Sequence, residues 1–554
     1  MTHSIALAGG RRNTKAGNMT MNRRRRALPL VALGLVGLMT IAGCASAASE
    51  ESGDTRAIDR EVGFIGVEEA GAPVDGGTLT FGSYVFPTVL DPTKTRSAGS
   101  VGGTELAAIY DTLVRSDYES GGFEPRLAER LTNNDDFTQF TVELRDGAKF
   151  SDGSPVDSAA VKWSMERYIA ANFDLAATFS NVLSSIDTPD PSTVVFNLEN
   201  SWSRFPVMLA MGPGYIVAPS SEAGGAFKPI GAGPFTLTKF APNEEIIMTA
   251  RADYFGGKPH LDGLRFVPTA GAQSQLDSLE SGQLDMSYIL LDETTIKNTL
   301  DRGYAGFRDI QGLGQNVILN QREGRPGADL RVRQAVAYGI DPEIFNSRAH
   351  NGLGIVDSNL LPATSRWSST VDGIPYDPEK AKQFLAEAKA DGYDGKLKLL
   401  TPTEQFSMQA ALAVQASLNA IGFDVQLDTV GSASDSNRRV FAEHDFDVVR
   451  SAFAFLDDAP LLRLQGSMMS DSSNNPQGYA DAQMDELIRG VQTALTDEDK
   501  NAALSKVQQR MNETIPYAVL GPMSVLTAWD DNVHGVERTV DNIWYFDTAW
   551  LSKN

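Results

Sequence analysis

Hydrophobic residues recur along most of the chain with two different spacings. Short segments in which apolar and polar residues alternate predict β-strands, as in Phe140, Val142 and Leu144. Segments with apolar residues at positions i, i+3, i+4 and i+7 predict amphipathic helices. The alternation of the two patterns predicts an α/β protein with mostly parallel sheets. The predicted strands are Thr78–Tyr84, Phe140–Leu144, Val194–Leu198, Phe235–Phe240, Leu264–Pro268, Leu397–Thr401, Phe423–Leu427 and Phe446–Val449.

One predicted helix near residue 380 has clear boundaries. Asp377 is a suitable N-cap, Pro378 favours the first helical position, and Gly392 follows the end. The same apolar spacing predicts helices over Val332–Gly339 and Met484–Val491. The apolar positions of the first helix are Ala381, Phe384, Leu385 and Ala388.

The first 43 residues differ from the rest of the chain. They contain seven basic residues and no acidic one, and an uncharged apolar stretch runs from Ala27 to Gly43. A basic region, a short apolar region and small residues at its end predict a secretory signal peptide rather than a membrane-spanning helix. Met19 and Met21 are alternative start positions. The four consecutive arginines fit general secretory and twin-arginine export equally well, so the export route stays open.

The single cysteine, Cys44, follows this segment directly. One cysteine excludes an internal disulfide. The string Ile41-Ala-Gly-Cys44 resembles the bacterial lipobox, and this resemblance implies that Cys44 becomes the lipid-modified first residue of the exported protein. Residues 44–76 are rich in Ala, Ser, Glu, Asp and Gly, which predicts a flexible tether after the lipid anchor. Within the tether, the apolar string Phe64–Val67 is a candidate for docking on the body.

The composition is globular, and the charge is acidic. Hydrophobic residues make up 42% of the 554 residues and charged residues 21%; 48 Lys and Arg face 71 Asp and Glu, a formal net charge of −23. Removal of residues 1–43 leaves 41 basic and 71 acidic residues, a net charge of −30. Such a charge repels phosphate backbones and anionic lipid, so we expect no nucleic-acid partner and membrane attachment through lipid alone.

Several short motifs follow one another in order from about Gly77 to the C-terminus. They are PRLAE at 125–129, FTVELRDGAKFSDGSPV at 140–156, GAGPF at 231–235, YFGGKP at 254–259, LESGQLD at 279–285, RVRQAVAYGID at 331–341, and SDSSNN at 470–475 with Tyr479. This series resembles the family 5 extracellular solute-binding proteins of ABC importers, the oligopeptide, dipeptide and nickel group. The motifs contain turn dipeptides and glycines, such as Gly231 and Gly233, that permit unusual φ values. We therefore assign them to the scaffold rather than to the ligand.

The resemblance implies a two-lobed periplasmic-binding-protein-like α/β fold that closes around its ligand by a hinge motion. The first lobe would comprise residues 77–310, with an inserted subdomain at about 104–219, and would recover the segment 521–554. The second lobe would comprise residues 311–520. Two interlobe crossings would join the lobes.

The resemblance also points to a ligand-binding segment. In peptide-binding members, the pattern "FD..R..W..DY..P" supplies an aromatic wall and an aspartate for the peptide ammonium, and residues 446–460 match this pattern. The match places Phe453 at the aromatic position and Leu456 at the aspartate. Successive residues of a strand point to opposite faces, so Asp457 would point away from this position, and a local bulge would be the way to re-aim Asp457 or Asp458 into the cleft. A blocked peptide, a modified peptide or another small solute is thus an alternative to a free peptide.

Further candidates come from the predicted crossings and strand ends. Amide side chains both donate and accept hydrogen bonds, which suits a peptide backbone or a sugar. Core packing is the alternative role for each aromatic residue. The candidate ligand-binding residues are Tyr84, Phe86, Gln315, Asn316, Arg450, Phe453, Phe455 and Asp457.

An enzyme and a metalloprotein are poorly supported. The chain has no G-x-S-x-G, H-E-x-x-H, P-loop or G-x-G-x-x-G motif, and the four histidines beyond the signal segment are widely spaced. We therefore expect no enzyme activity, no cofactor and no bound metal. The expected function is that of a monomeric, extracytoplasmic lipoprotein that captures short peptides and delivers them to an ABC permease with its ATPase. The alternatives are a non-peptide solute (a blocked peptide, a sugar or a metal chelate) and a role as a ligand sensor.

Overall fold

The computed structural model describes residues 62–68, 71–472 and 474–552. The predicted signal peptide and Cys44 lie outside these residues. The α-helices are α1 (Gly103–Tyr110), α2 (Ser158–Ala171), α3 (Ala176–Val182), α4 (Ala272–Glu280), α5 (Glu293–Asp301), α6 (Leu330–Gly339), α7 (Pro342–Ala349), α8 (Pro378–Ala390), α9 (Gln405–Ala420), α10 (Ala433–Asn437), α11 (Pro460–Met468), α12 (Ala482–Thr493) and α13 (Asp497–Thr514).

Strands alternate with these helices through most of the chain. They are β1 (Gly63–Ile65), β2 (Thr78–Ser83), β3 (Val114–Ser116), β4 (Phe123–Pro125), β5 (Ala128–Asn133), β6 (Gln139–Leu144), β7 (Leu183–Asp190), β8 (Thr193–Leu198), β9 (Phe235–Ala241), β10 (Glu245–Ala250), β11 (Gly263–Pro268), β12 (Met286–Leu290), β13 (Ala305–Leu319), β14 (Lys396–Pro402), β15 (Asp424–Val430), β16 (Val448–Ser451), β17 (Ala518–Trp529), β18 (Val533–His534), β19 (Glu537–Arg538), β20 (Trp544–Tyr545) and β21 (Trp550–Leu551).

One large sheet runs through the molecule. Its strand order is β15-β14-β16-β13-β17-β12-β2-β11-β10-β9, and β1 also pairs with β13. The expectation of mostly parallel sheets is wrong: only β2 with β11 and β12, and β14 with β15 and β16, form parallel pairs in this described sheet. The other pairs are antiparallel because β13 and β17 run in opposite directions through its middle and β9, β10 and β11 form a meander.

The two central strands connect the two ends of the sheet. With the predicted bounds, the first lobe comprises residues 77–310 and 521–552, and the second lobe residues 311–520. The register between β13 and β17 shifts between Gln311 and Gln315. A Cβ atom at Gly312 would collide with the carbonyl oxygen of Leu360, so the shift needs glycine for space. Because the pairing of β13 with β17 is interrupted at this crossing, a hinge bend there would break the fewest hydrogen bonds between the strands.

The two ends of the sheet are covered by different sets of buried residues. In the second lobe, helices α6, α8 and α9 cover the sheet with fully buried residues such as Val336, Leu385 and Val414. In the first lobe, a separate antiparallel sheet of order β5-β6-β8-β7 lies within the predicted inserted subdomain. This sheet and much of the rest of the first lobe share a larger core that also reaches Phe453 and Phe455 in the second lobe. The faces between the lobes are therefore partly apolar.

Local sequence signals account for the helix at residues 378–390. The Asp377 carboxylate accepts a hydrogen bond from the backbone N–H of Lys380 at 3.0 Å, and Pro378 is the first helical residue. Ala381, Leu385 and Ala388 are its buried positions. The predicted helix is therefore confirmed, with the N-cap in the expected place.

The N-terminal strand β1 docks on the first half of β13. Gly63 pairs with Arg308 and Ile65 with Gly306 in antiparallel register. Phe64 packs edge-on against Phe307, with ring centroids 5.0 Å apart. The apolar string inside the predicted tether thus adds a strand to the body. No helix among the described residues has the length and apolar composition needed to cross a membrane.

Candidate functional site

Two adjoining cavities lie between the lobes. The first, here called the acidic cavity, has a volume of about 440 Å³. Carboxylates outnumber the two arginines in its wall, so its field favours a cation. Its charged lining residues are Glu119, Asp309, Arg366, Asp457, Asp458, Asp497, Arg538 and Asp541.

The second cavity, here called the arginine-lined cavity, has a volume of about 740 Å³. It lies between the inserted part of the first lobe and helices α11 and α12 of the second. Its wall contains the cations Arg96, Arg463 and Arg489, the carboxylates Asp174, Asp471 and Asp541, and several side-chain amides. Both volumes fall within the range of about 300–1,000 Å³ that is typical of small-ligand pockets. The amides are Asn172, Asn181, Asn200, Gln465, Asn474 and Gln492.

Two residues belong to the walls of both cavities: Leu456 from the second lobe and Asp541 from the C-terminal part of the first. Leu456 is 9% exposed and Asp541 8% exposed. The cavities therefore meet at a junction with an apolar side chain from one lobe and a carboxylate from the other.

Asp457 is held by its own lobe. Its carboxylate accepts hydrogen bonds from Ser365 Oγ at 2.6 Å and from the backbone N–H of Arg366 at 2.8 Å, and its carbonyl oxygen accepts one from Trp367 Nε1 at 2.8 Å. Burial raises the pKa of Asp457 to about 6. These contacts fix the loop at residues 365–367 and leave Asp457 little capacity for a ligand.

The neighbouring Asp458 and Asp309 are also engaged. Arg538 lies 3.5 Å from Asp458 Oδ2 and 3.8 Å from Asp309 Oδ2. Asp309 Oδ2 accepts hydrogen bonds from Gln311 Nε2 at 2.9 Å and from Asn542 Nδ2 at 3.0 Å. One arginine thus draws carboxylates from both lobes to the wall of the acidic cavity.

Asp541 has a different environment. Among the described residues it makes no side-chain hydrogen bond or ion pair, and burial raises the pKa of its carboxyl to about 7. It lies in a short turn over Val540–Asn542, with φ 55° and ψ 34°. Asp and Asn tolerate this left-handed conformation better than other non-glycine residues. The turn presents an unpartnered carboxylate to both cavities.

Arg463 of α11 is fixed at one end and free at the other. Its Nε donates to the carbonyl oxygen of Ala454 at 2.7 Å, and the guanidinium lies 5.1 Å from the centre of the Phe453 ring. Burial lowers the pKa of Arg463. Phe453 is 6% exposed and packs edge-on against Tyr517, so it supports the arginine from below. The remaining guanidinium N–H groups face the arginine-lined cavity.

The predicted ligand residues fall into separate groups. Phe455 and Asp457 line the acidic cavity, whereas Phe453 lies beneath Arg463. Arg450 donates from Nη1 to Gln315 Oε1 at 2.9 Å in a different place, next to the crossing. Burial lowers the pKa of Arg450 to about 10.

The group around Arg450 also contains the first predicted strand end. Burial raises the pKa of Tyr84, and the charge of Arg450 opposes this shift. The guanidinium of Arg450 lies 5.1 Å from the centre of the Phe406 ring. Burial lowers the pKa of His350 to about 4, with the nearby Arg450 charge adding to the effect. This polar group belongs to the interlobe region but not to the walls of the two cavities.

Two other predicted residues have local roles. Asn316 is fully buried in β13, and its Nδ2 donates to the carbonyl oxygen of Leu313 at 2.9 Å, so it supports the crossing. Phe86 is half-buried against the first-lobe core and does not line either cavity.

Sequence reasoning missed Asp541, Arg463 and Arg96. The pair Asp541-Asn542 was a local turn signal, since both residues tolerate left-handed backbone. The orientation of these side chains depends on packing between distant segments, which the sequence pattern does not show. In the part of the chain that the structure describes, no group of three His, Cys, Asp or Glu residues is arranged to hold a metal ion.

Direct contacts between the lobes keep the cleft closed. Arg204 of the first lobe donates from Nη2 to the carbonyl oxygen of Asp458 in the second at 3.0 Å. Arg366 of the second lobe donates from Nη2 to the carbonyl oxygen of Tyr118 at 3.3 Å. A solute in the cavities would be enclosed by these contacts.

Comparisons with known proteins agree with this architecture. AppA, the oligopeptide-binding protein of Bacillus subtilis, is 23% identical over 564 aligned positions that cover 96% of this chain and 100% of AppA. Its structure in complex with a nonapeptide matches with a TM-score of 0.74 at 22% identity, over 87% of this chain and 100% of AppA. These similarities confirm the predicted two-lobed α/β fold.

A second solved relative binds a different solute. AgaA from A. tumefaciens R10, in complex with agropinic acid, matches with a TM-score of 0.72 at 25% identity, over 86% of this chain and 99% of AgaA. The sequence profile of the bacterial extracellular solute-binding proteins, family 5 (middle), matches residues 122–468, more than half of the chain. The resemblance found in the motifs is therefore confirmed: the chain belongs to the bacterial extracellular solute-binding proteins of family 5.

Proposed function

We propose that this protein is the lipid-anchored binding component of an ABC importer, that it captures short peptides between its lobes, and that it delivers them to a membrane permease. The observation that carries the proposal is the division of charge in the cleft. The acidic cavity has six carboxylates against two arginines and favours an ammonium group, whereas the adjoining cavity has three arginines, balanced by three aspartates, that can pair with a carboxylate. A short peptide has these two charges at opposite ends.

The lining amides support a peptide in particular. An extended peptide exposes both N–H donors and C=O acceptors along its length, and each Asn or Gln side chain can pair with either. Six such amides line the arginine-lined cavity. The similarity to AppA, whose structure contains a nonapeptide, agrees with this ligand class.

A non-peptide solute is the second candidate. AgaA, at 25% identity, was solved with agropinic acid, and Leu456 stands where the resemblance implies an ammonium-binding aspartate. A blocked peptide, a sugar or a metal chelate would be compatible with the absence of an aspartate at this position. A sensing role on the same scaffold is distinguished by the genes beside this one, because an importer needs a permease and an ATPase.

The test is mass spectrometry of the solute that co-purifies with the protein from its native host, followed by thermal shift with short peptides. A peptide at 100 times its Kd should stabilise the protein by about 2.7 kcal/mol. Co-purification of a sugar derivative or chelate, with no shift from any peptide, would favour the second candidate.

The anchor needs its own experiment, since Cys44 lies outside the described residues. Palmitate labelling in cells should mark the wild-type chain and not the Cys44→Ser variant, and the variant should leave the outer face of the cytoplasmic membrane. Labelling of Cys44→Ser would contradict the lipid anchor.

A further inference from the structure

The junction between the two cavities contains a carboxylate on the opposite lobe from the one that the motif resemblance implies. Leu456 occupies the motif position in the second lobe, and its apolar side chain cannot receive an ammonium group. Asp541 reaches the same junction from the first lobe, since both residues line both cavities. A negative charge is thus present at this point of the cleft although the motif aspartate is not.

Asp541 is the carboxylate at this junction that remains available. It is 8% exposed and has no hydrogen bond or ion pair among the described residues. The nearby carboxylates are occupied: Asp457 by Ser365 and Arg366, and Asp309 by Gln311 and Asn542. A buried carboxylate without a partner is costly to the folded protein. A ligand cation would supply the missing partner.

The backbone holds this carboxylate in a defined position. Asn542 follows Asp541 in the same turn, also with positive φ, 54°. Its side chain is held between Arg538 Nε, which donates to Asn542 Oδ1 at 2.8 Å, and Asp309, which accepts from Nδ2 at 3.0 Å. The turn is therefore clamped on one side, while the Asp541 side chain is left for the cleft.

The charges that face Asp541 come from several elements. Arg463 on α11 and Arg538 on β19 favour its ionised form, whereas Asp309 on β13 and Asp174 before α3 oppose it. Arg463 is already pinned by Ala454 and Phe453, so it lowers the cost of the Asp541 charge without forming a direct ion pair. Two cations and two anions around the carboxylate leave its own negative charge uncompensated.

We propose that Asp541 receives the cationic amine of the bound solute and so replaces, from the first lobe, the second-lobe aspartate whose position Leu456 occupies. This assignment rests on the proposed function, because it requires a solute between the lobes. It names amines, such as peptides with a free N-terminus, as the substrate class, and it makes N-blocked peptides poor ligands.

The test compares wild type, Asp541→Asn and Asp531→Asn by isothermal titration calorimetry. Asp531 is an exposed carboxylate of the same C-terminal segment and is the matched control. Asparagine is nearly isosteric with aspartate and tolerates left-handed backbone, so the variant keeps the turn. The probes are a library of free-amine tri- to pentapeptides without Lys or Arg, and the same library N-acetylated.

Wild type and Asp531→Asn should bind the free-amine library at least about tenfold more tightly than the acetylated one. Asp541→Asn should lose this preference and bind the two libraries equally. An unchanged preference in Asp541→Asn, or equal binding of both libraries by wild type, would overturn the assignment and leave a peptide function standing. Binding of neither library by wild type would overturn both.

A gain-of-function variant independently tests whether positions 456 and 541 serve the same ligand group. Leu456→Asp restores a carboxylate at the motif position, so adding it to Asp541→Asn should recover a preference for free amines. If the double variant folds, as judged by circular dichroism, but stays without preference, the two positions do not serve the same ligand group and the proposed replacement is wrong.

Discussion

Arg204 of the first lobe reaches across the cleft to the backbone of Asp458 in the second. Its Nε and Nη2 donate to the carbonyl oxygen of Asp458 at 3.3 and 3.0 Å. Its Nη1 donates to the carbonyl oxygen of Gly121, and the guanidinium lies 4.6 Å from the centre of the Phe123 ring. The contacts with Gly121 and Phe123 thus orient the guanidinium within the first lobe, and in the closed arrangement it binds the backbone of Asp458 in the second.

Replacing Arg204 with Ala should weaken ligand binding. The bonds to Asp458 form only when the lobes meet, and hydrogen bonds to charged groups contribute about 1.5–3 kcal/mol. We expect an affinity loss of about tenfold or more, mainly through faster dissociation, measured by stopped-flow fluorescence. Small-angle scattering should show a larger radius of gyration for the variant with ligand bound.

Arg167 provides the control for this prediction. It pairs with Asp91 and Glu222, all within the first lobe. Arg167→Ala should lower the free energy of unfolding but leave the dissociation rate unchanged. An equal effect of both variants on dissociation would show that Arg204 is not a closing contact.

Replacing Asp457 with Ala should destabilise the protein without changing its preference among ligands. The change leaves Ser365 Oγ and the backbone N–H of Arg366 without their acceptor, at a cost of about 1–3 kcal/mol. Urea denaturation measures the loss. A selective loss of free-amine peptides in this variant would instead assign the ammonium to Asp457.

Replacing Asp541 with Asn should stabilise the ligand-free protein above neutral pH. Burial raises the folded-state pKa of Asp541 to about 7, above its unfolded value near 4, so the folded state holds the proton more tightly. The contribution of this group to stability therefore falls as pH rises from about 4 to 7. At pH 8 the free energy of unfolding of the Asn variant should exceed that of wild type by up to about 4 kcal/mol, and the difference should shrink at pH 5.

Chemical denaturation at several pH values checks this prediction, with Asp531→Asn as control. Gain of stability together with loss of amine binding is expected of a residue kept for its ligand. A loss of stability in Asp541→Asn at pH 8 would indicate a structural role.

Replacing Arg463 with Met should weaken recognition of the anionic end of a solute. Methionine keeps an apolar contact with Phe453 but removes the N–H groups that face the arginine-lined cavity. Affinity for peptides with a free C-terminus should fall about tenfold, whereas amidated peptides should change little. Calorimetry with the two peptide forms measures the difference, and equal losses for both forms would contradict a role in carboxylate recognition.

Replacing Phe64 with Ala should loosen β1. Phe64 packs edge-on on Phe307, Trp529 and Trp544, and edge-to-face pairs contribute about 0.5–1.5 kcal/mol each. Because Phe64 is 43% exposed, we expect the free energy of unfolding to fall by only about 1–2 kcal/mol. The fluorescence of the neighbouring tryptophans should also change. Val67→Ala, at a more exposed position of the same segment, should have no effect. No fluorescence change in Phe64→Ala would contradict the docked strand.

Local signals predicted eight of the strands and three of the helices but not the central strands β13 and β17, and long-range packing decided how the elements meet. Asp377 and Pro378 define the start of α8 because capping involves only neighbouring residues. Gly231 and Gly233 were expected to serve unusual φ values, but neither has positive φ among the described residues. Their hydrogens instead face the carbonyl oxygens of Ile109 and Ala108, a contact between distant parts of the chain.

The candidate site shows the same division. The motif resemblance placed Phe453 at the aromatic position and Leu456 at the aspartate; Leu456 and the further candidates Phe455 and Asp457 line the acidic cavity, whereas Phe453 does not. The free carboxylate, however, depends on Asn542 meeting Asp309, 233 residues away in sequence. A one-residue change of register in β13 would redirect such pairs, and no local pattern encodes this contact.

Two opposite charges near the junction of the cavities belong to different lobes, Asp541 to the first and Arg463 to the second. A zwitterionic solute that pairs with both residues would therefore connect the lobes and favour the closed form. Solutes with one charge would occupy a single lobe with similar affinity in the open and closed forms, which cannot shift the population between them. Such singly charged analogues would compete with cargo for the protein without being handed on, and would act as inhibitors of uptake.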